Sequence, residues 1–318
     1  MILVTGATGF VGSALVARLV RDGLETRACV RRNDAPMPDG IHIAQVVGLT
    51  ADADWSSALI GVATVVHAAA RVHVMDDTAA DPLTEFRRVN VQGTLQLARQ
   101  AAVAGVRRFV FVSSIKVNGE ATQPGHPFTA DTTPAPLDPY GVSKMEAEQG
   151  LREIAMQTGM EVAIIRPPLV YGPGVKANFQ TMMRWLIRNV PLPLGATGNS
   201  RSLVALDNLV DLIVTCADHP SAASQTFLVS DGEDLSTTQL LQRMGQALGK
   251  SAWLIPVPAN CLRLAAATVG KQAVAQRLCG SLQVDIEKTR QLLGWSPPLT
   301  VDQGLKKAAE GYVRETGV

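Results

Sequence analysis

The sequence predicts an α/β fold: a doubly wound parallel sheet of the Rossmann type with a smaller, mostly helical C-terminal lobe for substrate. Three observations predict it. Apolar runs of strand length alternate with helical patterns from residue 1 to about 170, and such alternation calls for a parallel sheet covered on both faces. A glycine-spaced turn, "VTGATGFVG", joins the first of these strands to the first helix. After Pro167 the pattern changes, with prolines and glycines crowding "RPPLVYGPG" and "NVPLPLGATGNSRS", which read as loops.

In chain order, strands are expected at Ile2–Thr5, Glu25–Val30, Ile41–Val47, Thr64–His67, Arg108–Val112 and Glu161–Arg166. Helices fall between most of them, among them Phe10–Arg21 and Thr84–Ala104. One further strand, Thr226–Val229, is expected to return to the sheet, and helical patterns follow at Thr237–Leu248, Ala259–Val269, Ile286–Leu293 and Val301–Arg314. The expected division is a nucleotide-binding domain of residues 1–170 plus about 200–230, and a lobe of about 171–199 and 231–318. A cleft between the two is where a ligand belongs.

Composition excludes several classes. A formal net charge of +1 over 318 residues leaves no basic patch for nucleic acid, and 4% aromatics make no stacking platform. The cysteines Cys29, Cys216, Cys261 and Cys279 are scattered, form no CxxC pair and have no zinc spacing, so no metal is expected. The start "MILVTGATGF" lacks a basic region and is too short for a signal sequence, and no apolar run nears the ~18 residues of a membrane span. A cytoplasmic protein with reduced thiols and no membrane partner is expected. "CLRLAAATVG" is apolar but interrupted by Arg263, and reads as a buried helix.

Gly6, Gly9 and Gly12 have GxxGxxG spacing between strand and helix. Glycines there let backbone approach a pyrophosphate that rests on the helix N-terminus, so the turn reads as a dinucleotide-binding loop. The second strand ends in "ETRACVRRND", offering Arg31 and Arg32 where an acid would meet a free ribose 2′-hydroxyl; the nearest acid is Asp34. Guanidinium groups suit a 2′-phosphate, which favours NADP(H) with NAD(H) as the alternative; a solvated strand end is the plainer reading.

Tyr140 and Lys144 in "YGVSK" follow Asp138 and Pro139, and their i,i+4 spacing puts both on one face of a first helical turn. A neighbouring ammonium is expected to lower the tyrosine pKa from its usual ~10 and make it a general acid–base. Asn90 sits inside a helical pattern, where asparagine is a poor helix former.

These residues, with "TGATGFVG", "VVHAAA", "RVNVQGT", "FVSSIKVNGE", "PYGVSK", "IIRPPLVYGPG" and "LGW" in order along essentially the whole chain, resemble the extended short-chain dehydrogenase/reductase family. Within it the chain looks most like bacterial nucleotide-sugar enzymes related to UDP-glucose 4-epimerase, above all the 4-keto reductases of surface-polysaccharide (O-antigen) synthesis. The resemblance implies that Tyr140 handles the proton, Lys144 also holds the nicotinamide ribose, and Ser114 is the catalytic serine, chosen over Ser113 by the register of "VNGE". It implies cofactor contacts at Thr8, Phe10, Val11, Leu49, Ala68, Ala69, Ser113 and Pro167, with Asn90 bracing the site. Pro168 would help shape the nicotinamide pocket, and Leu169 stands where the family often has asparagine. Asn178, Leu194, Arg201 and, with a gap, Arg277 match positions that contact the UDP-sugar. Lys116 is placed with the substrate residues or as a chain reaching solvent, His73 lines the sugar pocket or a loop, and Asn118 replaces a usual tyrosine. Pairing of two copies through the helices near Thr84–Ala104 and Tyr140–Gln157 is implied as well.

Three reactions compete. Sugar 4,6-dehydratases carry an acidic pair directly after the serine; here those positions are Ile115 and Lys116, which argues against dehydration. A 4-epimerase keeps NAD tightly bound, whereas a reductase draws NADPH from a pool, and Arg31 and Arg32 favour the reductase. A small-ketone reductase is disfavoured by Asn178, Leu194 and Arg201, and a non-catalytic NADP-sensing scaffold by retention of Tyr140 and Lys144.

Overall fold

The computed structural model describes residues 1–32, 35–46, 48–72, 81–123, 125–268, 270 and 272–317, with the backbone alone at 273. Seven strands form one parallel sheet: β1 (Ile2–Thr5), β2 (Thr26–Val30), β3 (His42–Gln45), β4 (Thr64–His67), β5 (Arg108–Val112), β6 (Glu161–Arg166) and, after a long excursion, β9 (Thr226–Leu228). Their order is β3-β2-β1-β4-β5-β6-β9. The order reverses between β1 and β4, the switch point outside whose carboxyl ends doubly wound sheets bind ligands. β4 and β5 are buried along their whole length, as strands covered on both faces must be.

Helices α1 (Phe10–Arg21), α2 (Ser56–Leu59), α3 (Pro82–Phe86), α4 (Thr94–Val103), α5 (Pro139–Thr158) and α7 (Leu206–Asp218) accompany this sheet, with α6 (Ala177–Ile187) between α5 and α7 in the chain. One core cluster packs Leu15, Val16 and Leu19 of α1 against Leu209, Leu212 and Ile213 of α7 and the sheet. A second packs Leu97, Ala98 and Ala101 of α4 with Ala147, Leu151 and Ile154 of α5.

A small sheet, ordered β10-β8-β7, joins β7 (Leu169–Tyr171), β8 (Arg201–Ala205) and β10 (Asp234–Leu235). Both proline- and glycine-rich stretches read as loops thus contribute strand residues. Around this sheet lie α6, α8 (Thr237–Ala247), α9 (Ala259–Thr268), α10 (Gln272–Cys279), α11 (Glu287–Leu293) and α12 (Val301–Thr316). A third core cluster holds Phe179, Met183, Leu186, Leu241, Met244 and Leu305 together. The buried Asp231 ties the parts: one carboxylate oxygen accepts from the Tyr171 hydroxyl at 2.7 Å, the other from Asn208 Nδ2 and the Ala205 amide, each at 2.7 Å.

Two expectations need correction. The helix expected over Thr84–Ala104 begins earlier, at Pro82, capped by Asp81 through Thr84 N, and is interrupted by a π-helical turn, Arg87–Gly93. The apolar stretch from Cys261 onward is not buried: α9 carries no buried residue. Among the described residues no helix is long and apolar enough to cross a membrane, and no His/Cys/Asp/Glu cluster has the geometry to hold a metal.

Candidate active site

The glycine loop is shaped by contact as well as conformation. Gly6 has φ +69°, and a Cβ there would lie 2.8 Å from the Ala69 backbone. A Cβ on Gly12 would lie 2.0 Å from the Gly6 carbonyl oxygen. The loop therefore packs directly on Ala68 and Ala69 past the end of β4, with Thr8 exposed and Phe10 and Val11 opening α1. No side chain caps the start of α1, whose N-cap is Gly9, and no acid occupies its first turn. Its first amides and the positive end of its dipole suit a pyrophosphate, so the residues present fit a dinucleotide. Leu49, after β3, approaches so closely that a Cβ on Gly93 would lie 2.7 Å from its carbonyl carbon. Arg31 and Arg32 are exposed at the end of β2, while Asp34 and His73 lie outside the described residues.

The π turn explains Asn90. Asn90 lies within this turn with its side chain buried, where Oδ1 accepts from the Arg71 amide at 2.8 Å and Nδ2 donates to the Arg71 carbonyl and Ser143 Oγ, each at 3.0 Å. Ser143 Oγ in turn donates to the Tyr140 carbonyl at 2.8 Å. Asn90 thus fastens the chain leaving β4 to the first turn of α5, a use typical of π turns at functional sites.

Asp138 caps α5 by accepting from the Gly141 amide at 2.6 Å, and Pro139 occupies the first helical position. Tyr140 follows with its ring edge-on to Phe86, centroids 6.0 Å apart. The residue as a whole is half-buried, but its hydroxyl sits deep and hydrogen-bonds Ser114. Burial, reinforced by the charge of Asp138 and opposed by that hydrogen bond, pushes the phenol up to about 12. This reverses the expected lowering. Lys144 Nζ lies 6.0 Å from the Tyr140 ring centroid, hydrogen-bonds the Val112 carbonyl at 2.9 Å, and is pushed down to about 7 by burial, with Glu148 acting against the fall. A lysine that keeps its charge poorly exerts little pull on a neighbour. At rest Tyr140 therefore holds its proton.

Beneath Lys144 is a buried charge network that was not legible in the sequence. Glu148, one turn along α5, receives Arg166 Nε at 2.9 Å and Nη2 at 2.6 Å, together with Ser113 Oγ at 2.6 Å. Arg166 Nη1 donates to Asn118 Oδ1 at 3.0 Å. The unusual Asn118 is thus a partner for a buried arginine, and the Ser113 hydroxyl is committed to Glu148. The Ile115 amide donates to the Pro167 carbonyl at 3.0 Å, which sets Pro167 beside the serine pair. Lys116 is held by acids: its ammonium is paired with the Asp138 carboxylate and lies 3.4 Å from Glu120.

The other substrate candidates divide. Arg201, half-buried at the start of β8, donates from Nη1 to the backbone carbonyls of Arg277 at 3.1 Å and Gly280 at 3.0 Å, which sets its guanidinium beside the backbone at the end of α10. Asn178 is exposed on the first turn of α6. Leu194 is buried in the third core cluster. Leu169, opening β7, is 44% exposed.

Residues 2–230 match the model of the NAD dependent epimerase/dehydratase family. The chain belongs to this family. It is 49% identical to a UDP-glucose 4-epimerase of Vibrio cholerae over 314 residues, covering 98% of this chain and 95% of that protein. A UDP-glucose 4-epimerase of Mycolicibacterium smegmatis is 29% identical, with 98% and 97% covered. The structure of MoeE5 in complex with UDP-glucose and NAD superposes with a TM-score of 0.78 at 26% identity, over 100% of this chain and 99% of that one. The chain is thus a nucleotide-sugar enzyme of the epimerase/dehydratase type.

Two predictions arise from this family site. Replacing Lys116 by methionine leaves Asp138 unneutralised beside Tyr140 and raises the phenol further. The acid limb of kcat/KM against pH then moves up by about half a unit to one unit, and Lys116→Arg restores it. A substrate contact would instead show as a change in KM with an unmoved profile.

The second concerns His67, which sequence reasoning passed over. Its ring bonds Thr5 Oγ1 at 2.7 Å and Thr94 Oγ1 at 2.9 Å and stacks on Phe111 with centroids 5.8 Å apart. Burial, helped by Lys144, pushes it down to about 3. The unfolded chain takes up this proton near pH 6.5 and the folded chain does not, so stability falls as pH drops from 6.5 toward 3. Urea titrations at pH 7 and 5 should show about 2 kcal/mol of loss from this residue, absent in His67→Gln.

Proposed function

We propose that this enzyme is a UDP-sugar 4-epimerase working with bound NAD. The observation that carries the reading over a 4-keto reductase is the 49% likeness, along nearly the full chain, to the Vibrio cholerae UDP-glucose 4-epimerase. The arrangement of Ser114, Tyr140 and Lys144 fits both reactions. Ile115 and Lys116, where dehydratases carry acids, support neither a C5 base nor a C6 acid.

NAD rather than NADP is supported by the MoeE5 complex. The case for NADP rests on Arg31 and Arg32, which stand exposed at a strand end. The glycine loop, Ala68, Ala69 and Leu49 would hold the dinucleotide. Bound there, oxidised nicotinamide would supply the hydride acceptor and a positive charge that favours ionised Tyr140. Tyr140 then takes the proton from the sugar's 4-hydroxyl and later returns it to the same oxygen. Ser114 donates to that oxygen while it is a carbonyl, stabilising the charge that develops on reduction. Lys144, Asn90 and the Asp138 cap hold Tyr140 in place. Arg201 and Arg277 would grip the diphosphate.

Association of two copies through α4 and α5 fits the apolar Val103 and Met156 that those helices expose. The cofactor reading is tested by denaturing the purified protein and identifying what it releases. NAD in near-stoichiometric amount is the expected result; NADPH, or turnover only when NADPH is added, overturns it.

A further inference from the structure

We propose that the surface carried by residues 250–284 seats this protein peripherally on an anionic lipid bilayer. The observations are exposure and charge. Helix α9 turns only a half-buried stripe, Ala259, Leu262 and Ala266, toward the body of the protein, and Leu262 alone of these packs on the third core cluster. Its outward side mixes Asn260, Arg263 and Thr268 with the apolar Ala265, Ala267 and Leu264, the last 71% exposed. The extended segment before α9 exposes Trp253 at 57% and Ile255 at 44%, and α10, packed on α9, exposes Val274 at 49%. A soluble helix normally turns such residues inward and covers its outer face with charge; here apolar side chains are left outside over one continuous stretch of chain.

The charge on the same stretch has one sign. From Lys250 to Val284 there is no aspartate or glutamate in 35 residues, and Lys250, Arg263, Lys271 and Arg277 supply four cations. The chain's formal net charge is +1, so the remainder is −3. Arg263 reaches back to the Cys279 carbonyl at 3.0 Å, joining α9 to the end of α10.

Exposed tryptophan and aliphatic side chains set among lysines and arginines match an interface where acyl chains meet anionic headgroups. A protein groove would present counter-charges of both signs to complement its rim, and nothing in this stretch offers an anion. The bilayer is therefore the occupant that fits both features. This placement does not depend on which reaction the enzyme performs, since Trp253, Ile255, Leu264, Val274 and Lys250 are not among the side chains assigned to the sugar or the cofactor.

The test uses the full chain and sucrose-loaded vesicles, without substrate. Sedimentation with vesicles of phosphatidylcholine mixed with phosphatidylglycerol is expected to exceed that with phosphatidylcholine alone by about tenfold and to fall in high salt. Leu264→Glu and Lys250→Glu should each weaken that partition severalfold, while turnover of a soluble UDP-sugar stays at the parent's level. Equal sedimentation of Leu264→Glu and the parent, or no sedimentation with either vesicle, overturns the proposal. So does a Leu264→Glu chain that changes oligomeric state in analytical ultracentrifugation, which would assign the face to a second copy.

Discussion

Tyr140→Phe lowers kcat for UDP-sugar epimerisation by about a thousandfold, close to 4 kcal/mol of transition-state stabilisation, with KM little changed. The ring keeps its contact with Phe86 and only the hydroxyl bonded to Ser114 is lost. Ser114→Ala should cost less, about a hundredfold, because one donor to the carbonyl oxygen is removed and the proton carrier remains. Steady-state kinetics of the two variants, with far-ultraviolet circular dichroism to confirm folding, decide it. A Tyr140→Phe enzyme within tenfold of the parent would remove Tyr140 from the chemistry.

Glu148→Ala should be the most destabilising single substitution near the site. Arg166 is 2% exposed, and its guanidinium gives two bonds to Glu148 and one to Asn118. Deleting the carboxylate strands a buried cation and costs about 3–5 kcal/mol, roughly 4–8 °C in Tm for a chain of this size. Glu148→Leu combined with Arg166→Met should recover much of the loss, because the pair is then replaced by apolar volume rather than broken. Chemical denaturation of the single and double variants measures both. A loss below about 1 kcal/mol for Glu148→Ala would show that water reaches the network.

The sequence was most readable where one local signal decided the outcome. Continuous apolar runs marked the parallel strands to within a residue or two, and β3 came out shorter than expected at Ile41–Val47, whose last residue lies outside the described residues. The glycine loop and the Tyr140–Lys144 pair were readable because spacing alone puts their atoms together. What escaped depends on residues far apart in the chain. β7 and β8 lie in proline- and glycine-rich stretches and become strands only by pairing with each other and with β10. The Glu148–Arg166–Asn118 network joins a helix, a strand and a turn. The charge state of Tyr140 could not be inferred from its i,i+4 lysine, because that lysine is buried and bonded to Val112 instead. α9 was misjudged because apolar composition cannot distinguish a helix inside the protein from one lying on it.

The central claim is epimerisation at C4 with a cofactor that never leaves. The purified enzyme, freed of small molecules by gel filtration, is incubated with UDP-glucose and followed by proton NMR at the anomeric signals. Without any added cofactor, a mixture of UDP-glucose and UDP-galactose should appear, and the same mixture should form starting from UDP-galactose. No interconversion under these conditions, together with oxidation of added NADPH by a UDP-4-keto-6-deoxy-N-acetylhexosamine, would contradict the account and make the protein a 4-keto reductase.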